Sequence, residues 1–482
     1  MVGDRRRRVA SEGTLIDLCL APLSEVGAMI GRRDVSPMEL LEKVLARAAA
    51  LGSLNSFITV AHDEARARSR ELEAELARGH HRGPLHGIPV SVKDNISTRD
   101  IRTTAGSPIL QNNVPSRDAT VVARLEAAGA VVFAKASLFG FASGDVHPQF
   151  APCPNPWSAE RYAGGSSSGS AVSVAAGLGF ASLGTDSGGS IRIPSAFCGV
   201  VGVRPSDGRV GRTGVIPFSY SLDSVGPITR TVRDAAIVLN AIAGWDADDP
   251  GSAQMASEDF TRQLDGNVSG MRIGFALPDD SDAVVPEMAR ALDHVSAILR
   301  ESGASVTPHA RPDYALAQQV KDVIFMAEAA EYHHVWFRDS TELYHEPLRT
   351  ILEDAEVLPA SLYVRAQRMR SWIRDQMIAS LADVDALVAP AVGLVAPRSL
   401  RTMEIQDGAT VLPLLSRHTS LASVAGLPAV VAPVRQADDG MPIGYQLIGK
   451  PGSEAALFRI AHAVEQATGW DKRHPPLSSS AS

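Results

Sequence analysis

The stretch that most constrains the fold is a helix-to-strand junction at Gly129. Residues 118–128 have a helical pattern, Gly129 follows, and Ala130-Val-Val-Phe-Ala134 is an unbroken apolar run. Glycine ends a helix because it enters the left-handed region without a Cβ penalty. An apolar run with no polar alternation suits a strand buried on both faces. Such a strand needs helices above and below it, which places the chain in the α/β class. At 482 residues, with 45% apolar and 21% charged positions, either one large layered domain or about three average ones is possible.

Other segments repeat the alternation of helix and strand. Ser36-Pro-Met-Glu39 combines a capping box with proline at the first helical position, predicting a helix over 37–50 with Leu40, Leu41, Val44 and Leu45 inward. A strand is expected over 55–60, a charged helix over 62–78, and a buried strand over 87–93 ending at Lys93. Four prolines in 146–162 argue against a regular element there. A small-residue helix over 170–176 leads to a strand over 179–183, and Thr231 caps a helix reaching 243. Residues 246–381 are more charged and helical, including 286–300 and 361–380, and form a candidate substrate-side region. Strands over 385–389, 429–433 and 443–448 and a helix over 454–467 close the chain.

A formal net charge of −8 gives no general pull toward nucleic acid or anionic lipid. The four arginines at 5–8 belong to a leader, residues 1–13, expected to be mobile, as is the tail 476–482. No membrane span or export signal is read, so a cytoplasmic location is expected. Cys19, Cys153 and Cys198 are odd in number and far apart, against a disulfide framework or a paired-cysteine zinc site. Cys198, among Ala196, Phe197, Val200 and Val201, reads as a buried thiol. No histidine pair has metal-ligand spacing, so no metal or cofactor is expected.

The chemistry concentrates in three segments: Gly87-Ile-Pro-Val-Ser-Val-Lys93, Gly164-Gly-Ser-Ser-Ser-Gly-Ser170 and Thr185-Asp-Ser-Gly-Gly-Ser-Ile-Arg-Ile-Pro194. Gly188 and Gly189 precede Ser190, letting backbone N–H groups converge as an oxyanion site requires, although an ordinary glycine-rich turn has the same composition. Gly165 to Gly169 formally matches a nucleophile elbow centred on Ser167, but no strand is expected before it, leaving a flexible linker or an anion-binding nest as other readings. Strand alternation places Ser91 and Lys93 on one face, with Ile88, Val90 and Val92 on the other. A free lysine, with a pKa of about 10.4, is a poor base at neutrality, so Lys93 needs desolvation to act as one.

These segments, together with Thr103-Thr-Ala-Gly-Ser107, Asn155-Pro-Trp157, Ser221-Leu-Asp-Ser-Val-Gly-Pro-Ile-Thr-Arg230 and Pro442-Ile-Gly-Tyr-Gln-Leu-Ile-Gly449, resemble the amidase signature family of serine hydrolases. The resemblance implies a single large α/β domain over 14–475, with a mixed central sheet covered by helices on both faces. Within it, 60–245 carries the motifs and 382–475 returns to strands. It also implies a Ser-cisSer-Lys triad: Ser190 as nucleophile, Ser166 as bridging serine preceded by a cis peptide bond, and Lys93 as base. The N–H groups of Ser187, Gly188, Gly189 and Ser190 would form the oxyanion hole, with Asp186 and Arg192 supporting the loop.

The implied activity is hydrolysis of a linear amide through a seryl acyl-enzyme, with esters and carbamates accepted by the same chemistry. The alternative is the glutaminase subunit of a tRNA-dependent amidotransferase, whose tyrosine-rich segment with its arginine is not matched by Met326 to Arg338. A catalytically silent anion-binding module is a third reading. The stand-alone hydrolase leads here, with a small-molecule amide, ester or carbamate as its partner, no nucleic acid, no membrane, and a homodimer left open. Phe139, Phe141 and Ala142 are expected to give the site an apolar wall, favouring an aryl or medium-sized acyl group.

Overall fold

The computed structural model describes residues 17–276, 284–398 and 412–477. The expected leader over 1–13 and residues 478–482 of the expected tail lie outside them. The strands are β1 Phe57–Val60, β2 Pro89–Lys93, β3 Val131–Ala136, β4 Pro154–Asn155, β5 Ser158–Tyr162, β6 Ala181–Asp186, β7 Val201–Arg204, β8 Ser224–Thr229, β9 Arg272–Phe275, β10 Ser305–Pro308, β11 Ala386–Pro390, β12 Ala429–Gln436 and β13 Pro442–Ile448. The helices are α1 Leu23–Gly31, α2 Pro37–Ala50, α3 His62–Ala77, α4 Thr120–Ala127, α5 Ser168–Ala175, α6 Arg192–Cys198, α7 Val232–Ile242, α8 Pro286–Glu301, α9 Tyr314–Asp339, α10 Glu346–Glu356, α11 Ala360–Ser380, α12 Leu412–Leu415, α13 Ser420–Ala425 and α14 Glu454–Thr468.

Eleven strands form one sheet in the order β1-β3-β2-β6-β8-β7-β12-β13-β11-β9-β10. It is mixed: β2 runs parallel to both β3 and β6, whereas β8 is antiparallel to β6 and β7. Alternation along a strand shows that both faces are covered. Val388 and Leu447 enter one core with Leu40 and Leu41 of α2 and Leu292 of α8. Their neighbours Leu387 and Ile448 enter another with Tyr314 and Ile324 of α9 and Ile373 of α11. The fold is thus the single α/β domain that the resemblance implied, and no helix among the described residues is long and apolar enough to cross a membrane.

Local chemistry accounts for the elements that position the site. Ser36 Oγ accepts the Glu39 N–H at 3.1 Å and Pro37 opens α2, matching the predicted 37–50 span. All five residues of β2 and all six of β6 are buried. Every residue of the small-residue helix α5 is buried as well. There is no room for more: a Cβ on Gly169 would meet the Ser137 nitrogen and the Ser56 carbonyl oxygen at 2.4 Å.

Two expectations need correction, and one strand lies outside the sequence reading. Residues 146–162 are not wholly irregular, because β4 and β5 pair as a two-stranded antiparallel ribbon outside the main sheet. The 246–381 region contributes strands β9 and β10 as well as helices, their pairing with each other and with β11 outweighing the charged local sequence. The fully buried β8 is announced by no periodicity, since Gly226 and Pro227 interrupt its pattern. The neighbouring chain explains the glycine: a Cβ at 226 would lie 1.9 Å from the Val203 carbonyl oxygen. Because that obstacle is backbone, Gly226→Ala is expected to destabilise by about 1–3 kcal/mol, read as a lower urea midpoint with an unchanged m value.

Candidate active site

The site lies where two parallel strands end. Lys93 closes β2 and Asp186 closes its neighbour β6, so both side chains emerge at the carboxyl edge of the sheet. Two serine-bearing loops reach the same edge, one leading into α5 and the other into α6. The Ser167 N–H joins them by donating to the Ser190 carbonyl at 3.1 Å. The peptide bond between Gly165 and Ser166 is cis. Ser166 and Ser190 line one cleft of about 330 Å³.

Lys93 is fully buried, and its Nζ donates to Ser166 Oγ at 2.8 Å, Thr185 Oγ1 at 2.8 Å and the Thr185 carbonyl at 3.3 Å. Burial drives its pKa down to about 7, against the opposing pull of the Asp223 and Asp186 carboxylates. The adjacent Asp94 does not hold it up. That carboxylate takes the Thr104 N–H at 2.9 Å and hydroxyl at 2.5 Å instead, as strand alternation requires. Ser91, on the Lys93 face, donates to Ser182 Oγ at 2.9 Å.

Asp186 organises the loop before Ser190. Its carboxylate accepts the Gly189 N–H at 2.8 Å, the Ile191 N–H at 3.2 Å, and Arg192 Nε and Nη2, each at 3.0 Å. Arg204 approaches to 3.6 Å from the other side. Burial alone would raise this carboxyl, but the charge and hydrogen bonds of Arg192, with Arg204, hold it well below the usual range. The Gly189 N–H is therefore engaged by Asp186, which corrects its assignment to the oxyanion hole. The N–H groups of Gly188 and Ser190 have no protein acceptor among the described residues. Ser187 donates its hydroxyl to Asp223, whose own pKa is raised by burial.

Of the expected apolar contacts, Phe139 and Ala142 line the cleft. Phe139 packs so closely on Gly165 that a Cβ there would fall 2.2 Å from its ring. Phe141 is a correction: it is buried behind the wall, edge-on to His333 at 4.5 Å and stacked with Trp336 at 5.8 Å. Its left-handed backbone, φ 47°, sends consecutive side chains to different places. Ser167 is buried and its hydroxyl bonds the Thr185 carbonyl at 3.2 Å, so it is no exposed elbow nucleophile. Cys198 is buried, its pKa raised well above the usual value by burial.

Sequence reasoning missed several neighbours. Thr185 sits inside a quoted motif, but only the tertiary contact shows it holding Lys93. Arg204 had no signal beyond closing an apolar run. A second buried lysine, Lys135, donates to Thr98 Oγ1 and Thr103 Oγ1, both at 2.9 Å, and burial lowers its pKa to about 8.

Residues 39–458 match the family described as Amidase. The chain belongs to the amidase signature family. It is 39% identical to a glutamyl-tRNA(Gln) amidotransferase subunit from Anaeromyxobacter sp. (strain K), an alignment covering 94% of this chain and 97% of that one. Among solved structures it resembles a chain described in a vestigial protein complex that reveals the origins of an s-triazine catabolic enzyme. There the TM-score is 0.88 at 33% identity, over 93% of this chain and 99% of that one. It also resembles the native peptide amidase of Stenotrophomonas maltophilia, with TM-score 0.81 and 32% identity over 95% and 98%.

These relatives correct the expected partners. This amidase signature chain was expected to meet only a small amide, ester or carbamate, without nucleic acid, and with a homodimer left open. The Anaeromyxobacter relative is by name one subunit of an enzyme of glutamyl-tRNA(Gln), and that overturns the expectation. Cleavage of C–N bonds as a hydrolase is the activity class of the family.

The buried lysines carry a stability signature. Between the folded pKa of about 7 for Lys93 and the unfolded value of about 10.4, the unfolded chain holds a proton that the folded chain lacks, so stability rises with pH across that window. Lys93→Met is expected to flatten this slope, measured by urea unfolding at a series of pH values from 7 to 10.

Proposed function

We propose that this chain is the amide-cleaving subunit of an amidotransferase-type assembly, releasing ammonia from a carboxamide through a seryl acyl-enzyme. The observation that carries the chemistry is the 2.8 Å contact between Lys93 Nζ and Ser166 Oγ in a fully buried setting. At a pKa of about 7 a large fraction of the amine is neutral at physiological pH. A neutral amine has two N–H donors and one lone pair. The donors suit the two Thr185 oxygens, leaving the lone pair for the Ser166 hydroxyl proton.

In this reading Lys93 takes the Ser166 proton while Ser166 takes the proton of Ser190, whose Oγ attacks the carboxamide carbon. Negative charge developing on the carbonyl oxygen is met by the Gly188 and Ser190 N–H groups. Collapse of the tetrahedral intermediate returns a proton through Ser166 to the departing nitrogen. Water then cleaves the Ser190 ester by the same relay, restoring Lys93 and freeing the acid. The assembly part of the proposal rests on the relative named for an amidotransferase.

A second reading, a stand-alone amidase that also accepts esters or carbamates, draws on the cleft wall, where Phe139, Phe325, Met326, Ile351 and Leu415 present apolar surface. Fluorophosphonate labelling that disappears in Ser190→Ala, with activity down roughly 1,000-fold or more, is expected under both readings. The two part on ammonia release: amidotransferase-type function requires glutaminase turnover to rise when partner proteins and tRNA are added. Unstimulated cleavage of simple amides by the isolated chain would favour the second.

The base assignment has its own test. The kcat/KM for a neutral amide should increase as pH rises through about 7 and level off above it, because only unprotonated Lys93 accepts a proton. A flat profile across pH 6–9, or full activity in Lys93→Met, would remove lysine from the relay.

A further inference from the structure

Among the described residues lining the cleft that holds Ser166 and Ser190, Lys321 of α9 is the sole cationic side chain. That side chain is only 9% exposed. Its stem runs along the serine-bearing loop: a Cβ built on Gly188 would lie 2.9 Å from Lys321 Cδ and 3.7 Å from Nζ. A positive charge is thereby held beside the segment that carries Ser190. No helix-packing requirement explains an ammonium there, since a methionine would fill the same space without desolvating a charge.

The ammonium pairs with Asp322 Oδ1 at 2.5 Å, donates to Ser416 Oγ at 3.3 Å and lies 5.4 Å from the Phe325 ring centroid. It has three N–H donors, so at least one has no protein acceptor among the described residues. Asp322 is a loosely committed partner, because its side chain is 48% exposed and gives up little by turning to water. An anion entering the cleft can take its place at the more buried lysine. The exchange replaces a solvent-screened ion pair with a sheltered, charge-assisted one.

We propose that Lys321 is a specificity-determining residue that binds a carboxylate on the acyl portion of the substrate. The preferred substrates are then mono-amides of dicarboxylic acids, a class that includes glutamine. Their carbon chain lies on Phe325, Met326 and Ile351 while the carboxamide faces Ser190. The inference rests on the amide-cleavage reading above for which bond is broken, but the charge selection it assigns to Lys321 is measurable without turnover.

The test uses full-length Ser190→Ala protein and calorimetric titration with succinamate and its neutral isostere 4-methylpentanamide. Succinamate is expected to bind roughly 10- to 100-fold more tightly. The preference should vanish in Ser190→Ala/Lys321→Met and survive in Ser190→Ala/Lys321→Arg. Asp322→Asn, a change at a half-exposed position, should strengthen succinamate binding by removing the competing carboxylate. In the protein with Ser190 intact, Lys321→Met should raise KM for succinamate more than it lowers kcat. Equal binding of the two amides, or a preference indifferent to Lys321→Met, overturns the inference even if both amides are cleaved. Lysine-dependent preference without cleavage of either amide upholds it while sinking the amide-cleavage reading.

Discussion

The architecture of the site depends on a carboxylate that has no water to solvate it. Asp186 is fully buried at the end of β6, and it is stable there because Arg192 and Arg204, equally buried, surround it. The cluster reaches well beyond the strand. Arg192 also donates to Gln446 Oε1 at 2.7 Å, Ser423 Oγ at 2.8 Å and the Thr419 carbonyl at 2.8 Å, joining β13 and α13 to the loop before Ser190. Removing one member of such a cluster strands the others, which is why buried ion pairs are better understood as devices of geometry than as net sources of stability. Here the geometry delivered is the bend from Ser187 to Ile191. Two of its N–H groups, those of Gly189 and Ile191, point back to Asp186, and those of Gly188 and Ser190 are left without a protein acceptor among the described residues.

Lys93 ends the strand beside that arrangement. Burial outweighs the pull of the Asp223 and Asp186 carboxylates, and the amine falls to about 7. Lys135 shows that burial of a lysine is not by itself a catalytic mark. It is just as enclosed, but hydroxyl and carbonyl acceptors surround it, including the Ile96 carbonyl, Thr98 and Thr103, and no cleft-lining serine is among them. What separates the two lysines is the partner hydroxyl and its access to a cleft.

Much of this is legible in the residue order. The capping box at Ser36, the helix-glycine-strand junction at Gly129 and the strand ending at Lys93 follow from local rules, because caps, left-handed glycines and period-two alternation act within a few residues. The face occupied by Ser91 and Lys93 follows from the same alternation. Local reading fails where distant chain overrides local preference. Strand β8 carries glycine and proline, yet the approach of β7 makes glycine necessary. Adjacency groups Phe141 with Phe139, but a left-handed residue parts them. Gly189 counts among the oxyanion donors by sequence alone, because nothing local reveals that its N–H belongs to Asp186.

The amino-acid order by itself determined the α/β class and the family, since strings such as Gly184-Thr-Asp-Ser-Gly-Gly-Ser190 are specific in their own right. It also supplied the serines and the lysine available for acyl chemistry. Only the folded chain decided which of these act together, how acidic each becomes, and what else faces the cleft. Proton affinity depends on the medium and charges within a few ångströms, and for Lys93 those are contributed by residues such as Thr185, Asp186 and Asp223, all distant from it in the sequence.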